Sequence, residues 1–339
     1  MTTAQQSRPT PDAADTVNAR AAQSTSAAQS TSAARTTGAA PDDAAPAPRI
    51  TLKDLVGDTA AFFRDHWAAQ PAVFRASADL TGLITEQEMW EEVDCGLLIR
   101  PYFTAFDEGV RTAVSEMTRS RTVVGHQVPG YINPAQIKAD FAAGGTFKFS
   151  QPEHWHPRLR ALVQALAPEF RAELESFVFL SPPGKTAIAA HMDGSHVLVL
   201  QIAGVKDWVV GRLDETSTSD SDRYTGGVIP YDRRMEVTLR PGDVLYMPHG
   251  TPHSATARIG TSLHIAVTIE EPTPRDLADV FLAGLLGLPE FEALTRGHHE
   301  LSLAERLTRL RALLTRTLGA ADETQVLEQA VRLKAGHLG

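Results

Sequence analysis

The chain has 339 residues, 42% of them apolar, and a formal charge of −9 at pH 7. That composition supports a globular core, while the acidic balance excludes a surface that coats nucleic-acid phosphates, which needs a basic stripe. A single cysteine, Cys95, excludes an intrachain disulfide framework, and no run approaches the roughly 18 apolar residues of a membrane span. The N-terminus has neither a basic start nor an apolar stretch, so a cytoplasmic chain is expected, with no membrane partner and no direct nucleic-acid binding. Cys95, in EEVDCGLLI, reads as a small core residue.

Residues 1–48 are mostly Ala, Ser, Thr, Gln, Pro and Asp, with AAQSTS repeated back to back at 21–26 and 27–32. So little there can be buried that a disordered low-complexity tail is expected. From Ile50 a helical period begins, with Leu55, Phe62, Phe63 and Trp67 on one side, and it ends at Pro71. A second helix is predicted over LITEQEMWEEVDCGLL, where Thr85 and Glu88 form a capping box. Short strand-like pieces follow between residues 100 and 150, interrupted by AQIKADFAAGG, a helix stopped by paired glycines. HPRLRALVQALAPEFRAEL reads as one or two amphipathic helices.

Between Phe177 and Ile269 the pattern changes to short strands: ESFVFLSPPG, HVLVLQI, DWVVGRL, MEVTLRPGDVLYMP and SLHIAVTI, with Ala203-Gly204 as the turn between the second and third. Five such strands with no helix between them predict a closed or sandwiched antiparallel barrel. After Glu271 the chain turns helical again, through RDLADVFLAGLLGL, LSLAERLTRLRALLTRTL and TQVLEQAVRLKA, with Leu at three and four spacing. The division expected is therefore a tail over 1–48, a barrel domain with an N-terminal helical scaffold over 49–271, and a helical region over 272–339. The last of these reads as a cap or a dimerisation unit, and a homodimer is the expected assembly.

AAHMDGSHVLVLQIAGVKDWVVG opens an apolar, strand-like run with a histidine and an aspartate two residues apart. In an extended strand such residues share a face, so His191 and Asp193 can point together into a barrel. They supply two members of the 2-His-1-carboxylate triad that holds Fe(II) and leaves positions open. An HxD pair is frequent by chance, and its bland reading is a strand-end histidine bonded to a nearby aspartate. A second segment, RPGDVLYMPHGTPHSA, adds weight: a turn, a strand and a tight bend present His253 as a third ligand, with His249 and His196 as competitors. The HWH at 154–156 lies outside the barrel and reads as surface histidines. Lys206 alternates with Trp208 and Val210, and an inward lysine needs an anion, such as the far end of a metal-chelating dicarboxylate. Its bland reading is a rim lysine paired with an acidic side chain.

AHMDGSHVLVLQIAGVKDWVV, PGDVLYMPHGTPHSA and SLHIAVTI together resemble the JmjC-type 2-oxoglutarate oxygenases, most of all their ribosomal-oxygenase branch. FFRDHWAAQPAVFR and GGTFKFSQPEHWHPRLRALVQAL are similar to segments ahead of that family's barrel, so the resemblance runs from about residue 52 to 271. It implies a mainly β protein with flanking helices, built on a double-stranded β-helix (cupin or jelly-roll) core. It implies His191, Asp193 and His253 as ligands of Fe(II), and Lys206 and Thr268 as the residues that hold the far carboxylate of 2-oxoglutarate. His264 matches a histidine frequent in the last barrel strand. Two pocket positions often occupied by Asn and Tyr in the family are Phe177 and Phe179 here, and the loop usually reading Pro-Arg-Gly is Pro248-His249-Gly250. Fewer than 70 residues follow the barrel, enough for the family's helices but not for its winged-helix domain.

What the resemblance implies is a dioxygenase that hydroxylates a peptide or protein side chain, in a ribosomal protein or a precursor peptide, with 2-oxoglutarate as cosubstrate. Two alternatives stay open on the residues alone. One is an oxygenase of a small metabolite; the other is a non-enzymatic metal-binding cupin whose phenylalanines close the cosubstrate pocket.

Overall fold

Two threonines start scaffold helices by the same local device. Thr51 caps α1 (Leu52–Val56) and Thr85 caps α3 (Glu86–Cys95), each in a reciprocal capping box, with Asp54 and Glu88 respectively. The computed structural model describes residues 49–337 apart from 108, 109, 185, 187, 213–228, 230, 231 and 233; the tail expected over 1–48 lies outside the described residues. Between the two capped helices come α2 (Thr59–Asp65) and β1 (Ala72–Arg75), the latter directly after Pro71. Met89 and Val93 form the buried face of α3, and Cys95, two residues past Val93, falls on the other side. Cys95 is therefore exposed, and the core role expected for it is corrected.

The next stretch alternates short strands and helices: β2 (Phe103–Asp107), β3 (Val110–Arg111), α4 (Val114–Met117), β4 (Thr118–Val123), β5 (His126–Ile132), α5 (Pro134–Ala142) and β6 (Thr146–Ser150). HPRLRALVQALAPEF is one helix, α6 (Pro157–Phe170), and the chain then enters β7 (Glu173–Ser181). Of the 154–156 histidines only His154 is at the surface; His156, at the N-terminus of α6, is buried, against the expectation.

The barrel strands are β8 (His196–Gly211), β9 (Arg234–Leu239), β10 (Asp243–Met247) and β11 (His253–Glu270), and they pair antiparallel with one another, with β7 and with β1. The main sheet runs β1-β10-β8-β11-β7-β6-β2-β3, with β9 on the far half of β8. HVLVLQI and DWVVG lie in one continuous strand, not two. Gly204 is not a turn but a kink, at φ 67, opposite the register shifts of β11 between Ala257 and Leu263. A Cβ at Gly204 would lie 2.2 Å from the Thr261 carbonyl oxygen, so only glycine allows the two strands to bend together.

That bend folds the sheet over itself, and one face lines a cavity shared by His253 and Ala255 from one half of β11 and His264, Ala266 and Thr268 from the other. Alternation on β8 separates two cores. Leu198 and Leu200 join Leu263, Ile265 and Val267 against the scaffold, while Val197 and Val199 face the cavity. Beyond Glu271 the described chain is helical: α7 (Pro274–Leu286), α8 (Pro289–Arg296), α9 (Leu303–Gly319) and α10 (Glu323–His337). No helix among the described residues is long and apolar enough to cross a membrane.

Candidate active site

The main chain brings the three expected ligands together. His191, ahead of β8, and His253, at the start of β11, exchange backbone hydrogen bonds (N to O, 3.0 and 2.8 Å), and the Gly250 amide donates to the Asp193 carbonyl at 3.0 Å. The imidazole Nδ1 atoms of His191 and His253 lie 2.9 Å from the carbonyls of Ala189 and Thr251. Each Nδ1 therefore carries the proton and each Nε2 is left with its lone pair. Those Nε2 atoms face one carboxylate, His191 to Asp193 Oδ1 at 3.8 Å and His253 to Asp193 Oδ2 at 3.4 Å. One donor atom from each residue lies within 4.8 Å of the other two, a set suited to a divalent transition metal with positions to spare. Burial of His253 pushes its imidazole below the ordinary histidine range, against the pull of Asp193, which favours the neutral ligand form.

The two competitors lie elsewhere. His196 is buried under Trp67, with ring centroids 4.0 Å apart, and its Nδ1 is 2.9 Å from the Tyr246 hydroxyl. The His249 amide lies 3.3 Å from the same nitrogen. Both histidines belong to the packing behind the ligand loop.

Lys206 stands on the cavity floor with only 1% of its surface exposed. Its ammonium donates to Ser181 Oγ at 3.2 Å and sits 3.5 Å from His264 Nδ1, and no carboxylate pairs with it among the described residues. That removes its reading as an ion-paired rim residue. Burial pushes the ammonium down to about 7, so a bound anion would restore a charge the fold alone penalises. His264 stacks on Phe179 at 4.8 Å and is held well below the ordinary histidine range, first by burial and then by Lys206. Neutral, its Nδ1 accepts from the lysine.

Thr268 lines the same cavity but is not brought to Lys206. It lies four residues along β11 from His264, roughly 13 Å of extended chain, and its Oγ1 points to the Glu175 carbonyl at 3.4 Å. The hydroxyl beside the lysine is Ser181, which also accepts from Thr146 Oγ1 at 2.9 Å. Phe177 and Phe179 form a wall of the cavity without filling it; about 510 Å³ remains. The closed pocket on which the non-enzymatic reading depended is absent from this arrangement.

Two cavity residues escaped the sequence. Ser181 ends β7 and meets Lys206 only across β11, a long-range register. Lys148 sits between Phe147 and Phe149 on β6, and strand alternation in TFKFS was the available signal that it faces away from those two core rings. Its ammonium lies 4.5 Å from the centre of the Phe177 ring.

A family model for the JmjC domain matches residues 148–277. Among curated relatives, the chain is 27% identical over 229 residues to the bifunctional lysine-specific demethylase and histidyl-hydroxylase NO66 of Drosophila persimilis, covering 64% of this chain and 31% of that one. It is 30% identical over 164 residues to ribosomal oxygenase 2 of Bos taurus, covering 47% of this chain and 34% of that one. The chain thus spans about a third of the length of these relatives. Among solved structures, E. coli YcfD superposes with a TM-score of 0.51 at 18% identity, over 81% of this chain and 71% of that one. YcfD solved in complex with cobalt and 2-oxoglutarate gives 0.50 at 18% identity, over 80% and 68%. At this identity the superpositions establish the fold.

Proposed function

Since residues 148–277 match the family model for the JmjC domain, we propose that the protein is an Fe(II)- and 2-oxoglutarate-dependent hydroxylase of a peptide or protein side chain. The observation that carries this reading is one cavity holding both a 2-His-1-carboxylate set and, on its floor, a buried lysine without a carboxylate partner. When bound, the metal and cosubstrate would supply oxidative decarboxylation of 2-oxoglutarate and transfer of one oxygen atom to a C–H bond.

The chain's own residues supply placement. His191, Asp193 and His253 would hold the metal, their rings fixed by the Ala189 and Thr251 carbonyls. Lys206, with Ser181, would receive the far carboxylate of the cosubstrate; Trp208 lies between this floor and His253, its ring centre 5.9 Å from the lysine nitrogen and 6.0 Å from the imidazole. Thr268 is assigned to the wall on the mouth side. Val197, Val199 and Ala266 keep the intervening wall apolar, which limits water near the reacting atoms.

The curated relatives are named for ribosomal and histidyl oxygenation, and a protein substrate is the class proposed here. A homodimer is part of the same proposal. Leu282 and Leu286 on α7 and Leu303, Leu307, Leu314 and Leu318 on α9 are exposed, more apolar surface than a monomeric helical region usually leaves open. A monomeric mass by light scattering would remove that part.

The test needs no substrate. Under anaerobic conditions the full chain is given Fe(II) and then 2-oxoglutarate, and the visible charge-transfer band of the chelate is sought in wild type, His191→Ala and Lys206→Met. The band should form in wild type, disappear without His191 and need far more cosubstrate without Lys206. No band in folded, metal-loaded wild type would overturn the reading.

A further inference from the structure

Lys148 is a second cation lining the same cavity as Lys206. On β6 it pairs across with Phe179, and its ammonium lies over Phe177 at 4.5 Å, Phe179 at 5.7 Å and Phe106 at 6.0 Å. No hydrogen bond or ion pair satisfies it among the described residues. Arg111 lines the cavity beside it, 6.0 Å from the same Phe106 ring. Aromatic faces support a cation but do not neutralise it.

The acidic groups nearby are committed elsewhere. Asp193 belongs to the metal set, and Glu270 pairs with Lys334 of α10 at 2.8 Å. Glu175 accepts from Gln151; burial raises its carboxyl above the usual range against that hydrogen bond, with Glu270 and Glu153 pushing the same way as burial. Burial, with Arg111 as the next cause, brings Lys148 down to about 8, against the weaker pull of Asp193 and Glu175.

Charge accounting on the proposed function, on which this inference rests, decides which anion. A divalent metal and Lys206 bring three positive charges, and Asp193 with the two carboxylates of 2-oxoglutarate brings three negative ones. The cosubstrate site is balanced without Lys148. We propose that Lys148, with Arg111, forms an anion-receiving subsite that selects a substrate presenting a carboxylate, an acidic peptide residue, in front of the metal and rejects guanidinium side chains. Phe177 and Phe106 would take the methylene groups of that residue.

The test uses the full chain with fluorescein-labelled pentapeptides Gly-Ser-X-Ser-Gly, X being Asp, His or Arg, and blocked N-acetylaspartate amide as an unlabelled competitor. Binding is read by anisotropy with and without Fe(II) and 2-oxoglutarate, so the readout does not depend on turnover. The Asp peptide should bind about ten- to a hundredfold more tightly than the Arg peptide, the range of one charge-assisted hydrogen bond. Lys148→Ala should remove that preference, Lys148→Glu should reverse it, and neither should change the 2-oxoglutarate concentration that half-forms the charge-transfer band. Equal potency of the blocked amide would keep the subsite and make the substrate a small acid. Tighter binding of the Arg or His peptide, binding of none, or loss of 2-oxoglutarate affinity in Lys148→Ala would overturn the inference. A missing band with Lys148-dependent Asp binding would instead overturn the oxygenase reading and leave the subsite standing.

Discussion

Replacing Lys206 by Met should make the protein more stable while removing the proposed cosubstrate anchor. The ammonium falls from its ordinary 10.5 to about 7 in the folded chain. The unfolded chain therefore holds a proton over this range that the folded chain gives up, and folding bears a cost set by that difference. At pH 7 the cost is about 4 kcal/mol. It is fully present below pH 7 and shrinks as pH rises toward 10.5, where the unfolded lysine loses its proton too. Methionine fills nearly the same volume and Ser181 keeps its bond with Thr146; the one buried acceptor that loses its donor is His264 Nδ1, whose contact with the lysine is a long 3.5 Å. Allowing for relaxation around the charge, a gain of about 2–4 kcal/mol is expected near neutral pH. Urea unfolding of wild type and Lys206→Met between about pH 6.5 and 10 would measure it, with the gap closing as pH rises. A variant less stable than wild type at pH 7, or a gap that does not change with pH, would refute the reasoning.

Three further outcomes follow from the same geometry. Binding of 2-oxoglutarate should take up a proton above pH 7, because only the charged lysine pairs with a carboxylate; the affinity should fall up to about tenfold per pH unit, and calorimetry in buffers of different ionisation enthalpy would count the proton. Gly204→Ala should cost about 3 kcal/mol or more, since its Cβ meets the Thr261 carbonyl at 2.2 Å on a backbone that must bend, and denaturant midpoints would show it. Burial pushes His196 from 6.5 to about 4, so the unfolded chain protonates first and stability should fall as pH drops through that window, by up to roughly 3 kcal/mol; His196→Gln should flatten this part of the profile in acid unfolding scans.

Much of the proposed metal set was legible because its signal is local. His191 and Asp193 share a face by the period of two, and His253 follows a turn, a strand and a bend, all readable within fifteen residues. Lys206 stood out as one charge in an apolar run. What could not be read was register. Whether Thr268 or Ser181 meets Lys206 depends on how β11 shifts against β8 and pairs with β7, a choice made by bulges dozens of residues away. The same bulges make one bent strand where Ala203-Gly204 looked like a turn. Lys148 was hidden for another reason: alternation in TFKFS turns it away from Phe147 and Phe149, but that the face it turns to lines the cavity depends on the pairing of β6 with β7. Cys95 and His156 show the limit at helix ends, where one residue of rotation exchanges core for surface.

The main-chain exchange between His191 and His253 also bears on folding. The two histidines are far apart in sequence, and they meet only when β8 and β11 are in register along most of their length. Partial collapse with local helices formed leaves the donor set scattered, because loop closure of this span precedes any contact between the rings. Metal capture in a refolding experiment would thus be a late event, and its rate would time strand registration rather than the chemistry of the ion.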